Sequence, residues 1–158
     1  MDEQHRDTNQ ERQSKMALDK IVYTAHAKAT GGRDGIAKTD DGKLEVKFQM
    51  PKEMGGSGEG TNPEQLFAAG YAACFIGALK HVAGEQKIRI GPDVFINSSV
   101  SFGPRAGGAK GFSVDVALEV HLPDVPHEKA VELVHAAHEV CPYSNATRGN
   151  IDVTLTVA

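Results

Sequence analysis

The feature that most restricts the fold is the apolar run from Leu66 to Leu79, fourteen residues without a charge in a chain of 158. A helix that is apolar on every side must be enclosed by other elements instead of lying on a surface. The run is shorter than the ~20 residues that span a bilayer, so it reads as the core helix of a soluble protein. Thr61-Asn62-Pro63-Glu64 stands just before it. Those residues offer either a capping box from Thr61 to Glu64 or an Asn62 cap with Pro63 at the first helical position, for a helix over about 63 to 83.

The segments on either side must wrap that helix. Ile21, Tyr23, Ala25 and Ala27 alternate with polar residues between Lys20 and Ala29, and Gly31-Gly32-Arg33-Asp34-Gly35 supplies a reversal. Leu44, Val46, Phe48 and Met50 continue with period two as far as Pro51, so an antiparallel meander opens the domain. Gly55 to Gly60 reads as a flexible connection; it lacks the Lys-Ser/Thr that ends a phosphate-binding loop. Val94 to Phe102 and Phe112 to Leu122 form a second antiparallel pair across Pro104 to Gly108. Pro126 to Val140 is an amphipathic helix ended by Pro142, and Ile151 to Val157 is a closing strand. The order predicts an α+β fold, antiparallel sheets packed around a buried central helix, over a single domain at 17–158. Residues 1–16 are polar and aperiodic and are expected to be a disordered N-terminal extension, with Met16 an alternative start.

Composition narrows the function. With 17 basic against 21 acidic residues and a pI of about 6.0, the chain has no global attraction for nucleic acid or an anionic membrane. The N-terminal segment has no apolar signal core, and two cysteines without a C-x-x-C pair suit reduced thiols in the cytoplasm. Any role for those thiols is then chemical.

Cys74 lies inside the apolar run among Ala68, Ala69, Gly70, Ala72 and Ala73. A helical glycine costs about 1 kcal/mol relative to alanine, which close backbone approach or space beside the sulfur would explain. A thiol in apolar surroundings is inert unless a cation favours the thiolate, so something basic must come from another segment. Arg33, on its glycine-rich turn, is one candidate, because a guanidinium can stabilise a thiolate and hydrogen-bond a peroxide oxygen. Glu64 at the helix N-terminus is favoured there by the macrodipole and can also orient Arg33. Cys141-Pro142-Tyr143-Ser144 mimics a glutaredoxin-like site, but Cys141 follows a helix and precedes the last strand. It is better placed to resolve an oxidised partner from a loop able to move. His135-x-x-His138-x-x-Cys141 puts the cysteine about 240° round the helix from the first histidine, so no metal site is expected.

Three runs in order now carry a resemblance: Ala29 to Gly35, Gly60 to Phe75, and Cys141 to Asn150. They closely resemble the organic hydroperoxide resistance (Ohr) proteins of the OsmC/Ohr superfamily over about 17–158. The resemblance implies a thiol peroxidase that reduces organic hydroperoxides, with Cys74 matching the peroxidatic and Cys141 the resolving cysteine, and Arg33 and Glu64 the polar pair. It also implies a Cys74–Cys141 disulfide recycled by an external dithiol, protein-bound lipoyl groups, with no metal, haem or flavin. An intertwined homodimer with active sites at the subunit interface is implied as well. Phe67, Tyr71 and Phe75 are expected to favour alkyl or fatty-acyl peroxides. The rival readings are a monothiol carrier built on Cys141 and a redox-sensing or ligand-binding module without turnover.

Overall fold

The computed structural model describes residues 17–158, so the expected N-terminal extension, residues 1–16, lies outside the described residues. Strands β1 (Ala27–Thr30), β2 (Ile36–Thr39) and β3 (Glu45–Lys47) form an antiparallel meander in that order. The meander is shorter than the alternation predicts. Ala17 to Ala25 has no strand partner among the described residues, and Leu18, Ile21, Val22 and Tyr23 are at least 67% exposed. Alternation supplies a face for a strand, but only a neighbouring backbone supplies its ladder, and none of the described residues offers one there.

The glycine-rich connection after β3 is more ordered than a free linker. Phe48 pairs with Thr61 in a parallel bridge, and the Thr61 amide bonds back to the Lys47 carbonyl at 2.9 Å. The segment between them turns through Lys52–Met54, with the Gly58 amide donating to Met50 O at 3.1 Å. Those glycines therefore let the chain fold back on itself and return at the start of the long helix.

Helix α1 (Pro63–Glu85) opens with the Asn62 cap: Asn62 Oδ1 accepts from the Gln65 amide at 2.9 Å, and Pro63 takes the first position. Of the two caps the sequence offers, geometry selects this one. The helix runs 23 residues, long and apolar enough by itself to cross a membrane. Its Tyr71, Phe75, Leu79, Val82 and Ala83 are nevertheless packed inside the protein, as befits a core helix. Enclosure is incomplete, because Ala69, Ala73 and Gly77, spaced one turn apart, are exposed.

The second sheet runs β4 (Phe95–Pro104), β5 (Phe112–His121), β6 (Val153–Val157). The first two form an antiparallel hairpin from Phe95↔His121 to Pro104↔Phe112. The last pair is parallel, Val116↔Val153 to Val120↔Val157, so this sheet is mixed and not purely antiparallel. A parallel neighbour requires a crossover. Helices α2 (His127–Val140) and α3 (Pro142–Thr147) provide it, and they cover the sheet. Val116, Leu118 and Val120 of β5 meet Leu133, Val134 and Ala137 of α2 and the buried face of α1 in one core. The short α3 corrects the reading of residues 141 onward as a mobile loop: Pro142 ends one helix and starts the next, its fixed φ being suited to a first helical position.

Candidate active site

The functional candidates gather in two groups along α1. At its first turn, Arg33 sits on the 3-10 turn Gly32–Asp34. Gly31 has φ +72°, and a Cβ at Gly35 would lie 1.6 Å from the Thr30 carbonyl oxygen, so only glycine closes this turn. The turn aims the guanidinium at Glu64: Nη1 donates to Oε2 at 2.8 Å and Nη2 to Oε1 at 2.6 Å, a two-point pair. The Arg33 hydrogen bonds hold the Glu64 carboxyl below its ordinary range, and Glu64 raises Arg33 in return. The guanidinium carbon also lies 5.0 Å from the centre of the Phe102 ring, within cation–π range. Beside the pair is an open cleft of about 460 Å³ lined by Met54, Glu64, Ala68, Val100 and Phe102.

Further along the helix, Cys74 meets Cys141. Their sulfurs are 3.6 Å apart as free thiols, with Cys141 donating to Cys74, although the residues are 67 positions apart in sequence. Cys141 is fully buried, whereas Cys74 is only half-buried. Accessibility therefore assigns first contact with a reagent to Cys74 and denies it to Cys141, against a monothiol carrier built on the latter. Burial pushes the Cys74 thiol above its ordinary range; the Tyr143 amide pulls it down, and Cys141 pushes it up. Cys141 ends α2 and also caps α3, whose second residue supplies that amide.

The small residues before Cys74 have a visible use. A Cβ on Gly70 would stand 3.0 Å from Tyr143 Oη and 3.4 Å from its ring, so glycine lets the α3 tyrosine lie on the helix. Phe67 packs against Tyr143, with centroids 5.9 Å apart, and lines a second groove of about 370 Å³ with Tyr143, Ala146 and Ile151. Tyr71 and Phe75, expected beside a substrate, are wholly buried in the chain and line neither of these two grooves.

Sequence reasoning missed a hydrogen-bonded group behind the thiols. Tyr71 Oη lies 2.9 Å from Ser144 Oγ and 3.2 Å from Thr147 Oγ1, and Ser144 Oγ lies 2.8 Å from His138 Nδ1. The available signal was positional: Tyr71 and Ser144 are each three residues from a cysteine. His138 is thereby tied to Ser144, not to the histidine–cysteine spacing weighed for a metal.

Within one chain the two groups do not meet. Glu64 and Cys74 are ten residues apart on one helix, which at 1.5 Å per residue separates them by roughly 15 Å along its axis. Arg33 bonds to Glu64 and not to Cys74.

Comparison with known proteins bears on this arrangement. The family model described as OsmC-like protein matches residues 56–156. The chain is 55% identical over 141 residues to the organic hydroperoxide resistance protein of Xanthomonas axonopodis pv. citri (strain 306), covering 89% of this chain and 97% of that one. It is 52% identical to organic hydroperoxide resistance protein OhrB of Bacillus subtilis (strain 168), over 85% and 96% of the two chains. The crystal structure of an organic hydroperoxide resistance protein from Legionella pneumophila superposes with a TM-score of 0.82 at 53% identity, covering 88% of this chain and 99% of that chain.

Proposed function

The chain belongs to the OsmC family and, within it, to the organic hydroperoxide resistance proteins, and from that premise we propose that it is a thiol peroxidase that reduces organic hydroperoxides to alcohols. The observation that carries the reading is the pair of free thiols, the outer one half-buried and the inner one sealed, 3.6 Å apart. In the first step the Cys74 thiolate attacks the distal peroxide oxygen. The O–O bond breaks, an S–O bond forms, and the alkoxide takes up a proton to leave as the alcohol, with Cys74 as sulfenic acid. In the second, Cys141 attacks that sulfur: an S–S bond forms, and the sulfenic oxygen departs as water with the thiol proton. Closing the bond needs an S–S distance of about 2.05 Å, a further approach of roughly 1.5 Å. An external dithiol, a protein-bound dihydrolipoyl group, then reduces the disulfide through a mixed disulfide and leaves as its own cyclic disulfide. No metal or organic cofactor enters these steps.

The raised Cys74 thiol needs a cation, and the candidate, Arg33, is held by Glu64 roughly 15 Å away along the same helix. A homodimer resolves this. In a two-fold contact, residue i meets j while j meets i. If Cys74 of one copy meets the Arg33–Glu64 pair of the other, the two α1 helices cross antiparallel near residue 69, midway between 64 and 74. Ala69 and Ala73, the exposed small side chains of this helix, lie at that crossing. The active site is then shared: thiols from one copy, guanidinium from the other. The apolar part of the peroxide lies against Phe67 on the thiol side and along the cleft beside Phe102 on the arginine side, which favours alkyl over hydrogen peroxide.

Intact mass of the reduced protein tests the chemistry, before and after one equivalent of cumene hydroperoxide, with Cys141→Ser alongside. The expected result is a loss of about 2 Da in the native chain and a gain of about 16 Da in the variant. No change in either would refute the peroxidase reading.

A further inference from the structure

The cysteines form one of several cross-links between α1 and the α2–α3 corner. Cys74 is three residues after Tyr71 on α1, and Cys141 is three residues before Ser144 on α3. The S–S contact and the Tyr71–Ser144 hydrogen bond are thus adjacent rungs of the same packing interface, one helical turn apart. The second rung is fully buried: Tyr71 and Ser144 are both 0% exposed. It continues to His138, one turn before Cys141 on α2, so the Ser144–His138 bond bridges the corner at which Cys141 sits.

The protons in this group have a consistent direction. Thr147 donates to the Tyr143 and Ser144 carbonyl oxygens, at 2.9 and 3.2 Å. Tyr71 is then free to donate to Ser144 Oγ, and Ser144 to Nδ1 of a neutral imidazole. Burial, chiefly, moves His138 toward its neutral form, helped by Arg148 and His135 and opposed by Glu139. Arg148 further ties the corner by donating to the His138 carbonyl and, at 2.7 Å, to Asn145 Oδ1. Every buried hydroxyl in the group is thus satisfied, the condition under which such a network fixes one geometry.

Resting on the peroxidase reading above, we infer that Tyr71, Ser144 and His138 are positioning residues for the resolving step: they hold the α2–α3 corner in register with α1 so that Cys141 stands within reach of the Cys74 sulfenic acid. None of the three touches the peroxide. Misplacing a reacting atom by about 1 Å costs up to ~10²-fold in rate, whereas the first step needs only Cys74 and its cation. The network therefore acts on disulfide closure and not on peroxide reduction.

The test separates the two steps in the full chain, reduced and mixed with one equivalent of cumene hydroperoxide. Alcohol release reports the first step, and the lifetime of dimedone-trappable sulfenic acid, followed by intact mass, reports the second. Ser144→Ala, Tyr71→Phe and His138→Leu are compared with His138→Asn, whose side-chain oxygen can replace Nδ1 as acceptor; circular dichroism checks folding, so a variant that does not fold leaves the others to decide. The expected result is alcohol release within about twofold of native and closure slowed about tenfold in Ser144→Ala and His138→Leu, with most of the rate restored in His138→Asn. Native closure rates, equal slowing of both steps, or no difference between the leucine and asparagine variants would each overturn the inference. If the native chain itself forms no disulfide, the peroxidase reading falls first, and the mass shift tells the two failures apart.

Discussion

The two ends of the candidate site are built on opposite principles. The Arg33–Glu64 end is charged, partly exposed and held by two charge-assisted hydrogen bonds on a turn that only glycine can make. The Cys74–Cys141 end is apolar, and its thiols are placed by helix packing and a buried hydroxyl network. Each end lacks what the other has. The thiol is pushed toward its unreactive protonated form by the burial that positions it, while the guanidinium is neutralised by the carboxylate that orients it. The dimer proposed above would unite them across two copies and give the thiol its cation without placing an unpaired charge in either core.

The largest effect comes from separating the two ends genetically. Cys74→Ser should abolish peroxide turnover with dihydrolipoamide, and Arg33→Ala should leave about a hundredth of it, in line with the loss of one charge-stabilising donor. Equal amounts of the two variants, unfolded together and refolded, then discriminate the arrangements. If the site is shared, half of the dimers are mixed and each carries one intact site, so activity recovers to about a quarter of native. If Arg33 serves its own chain, no intact site forms and the mixture stays at about half the Arg33→Ala level, since half of its chains lack the thiol.

A smaller effect concerns pH. Without the guanidinium, the Cys74 thiolate forms only at higher pH, so the Arg33→Ala rate profile should shift to the alkaline side and the deficit should shrink there. A deficit constant with pH would mean that Arg33 acts on the peroxide alone. On the stability side, the folded Glu64 carboxyl titrates below its unfolded value. Its contribution is therefore complete above the ordinary glutamate range and is lost as pH falls through the folded value. Glu64→Gln should remove about 1 kcal/mol at neutral pH and flatten the acid limb of a denaturation series, while leaving Cys74–Cys141 closure unaltered.

The same contrast explains what was legible in the sequence. Devices that act over a few residues are legible: the glycine turn carrying Arg33, the start of α1 to within one residue between two caps, the alternation of β4 and β5. The pairing of Cys74 with Cys141 is not legible from spacing, because they are 67 positions apart with the β4–β5 hairpin and α2 between them; only likeness of whole motifs suggests it. The burial of Tyr71 and Phe75 is not legible either, because an aromatic near a reactive residue reads the same whether it faces a substrate or the core. The Lys20 to His26 alternation reads as a strand in the sequence, since period two shows a face but not a neighbour. Ser144 reads as part of a glutaredoxin-like motif, whereas its hydroxyl is bonded into the core between two helices.

The smallest effect tests how tightly the thiol end is coupled to its surroundings. Gly70→Ala gains up to about 1 kcal/mol of helix propensity but brings a Cβ to 3.0 Å from Tyr143 Oη, the far end of a side chain that is 39% exposed and can give way. Thermal denaturation should therefore show a change of no more than about 1 kcal/mol. The ring must tilt off α1, and if the Tyr143 amide follows, the Cys74 thiol loses its hydrogen bond and its titration moves upward. An unchanged Cys74 titration with a displaced ring would instead locate the coupling wholly in the Tyr71–Ser144–His138 group, since α3 would then hold its register on α1 without help from the tyrosine packed against Gly70.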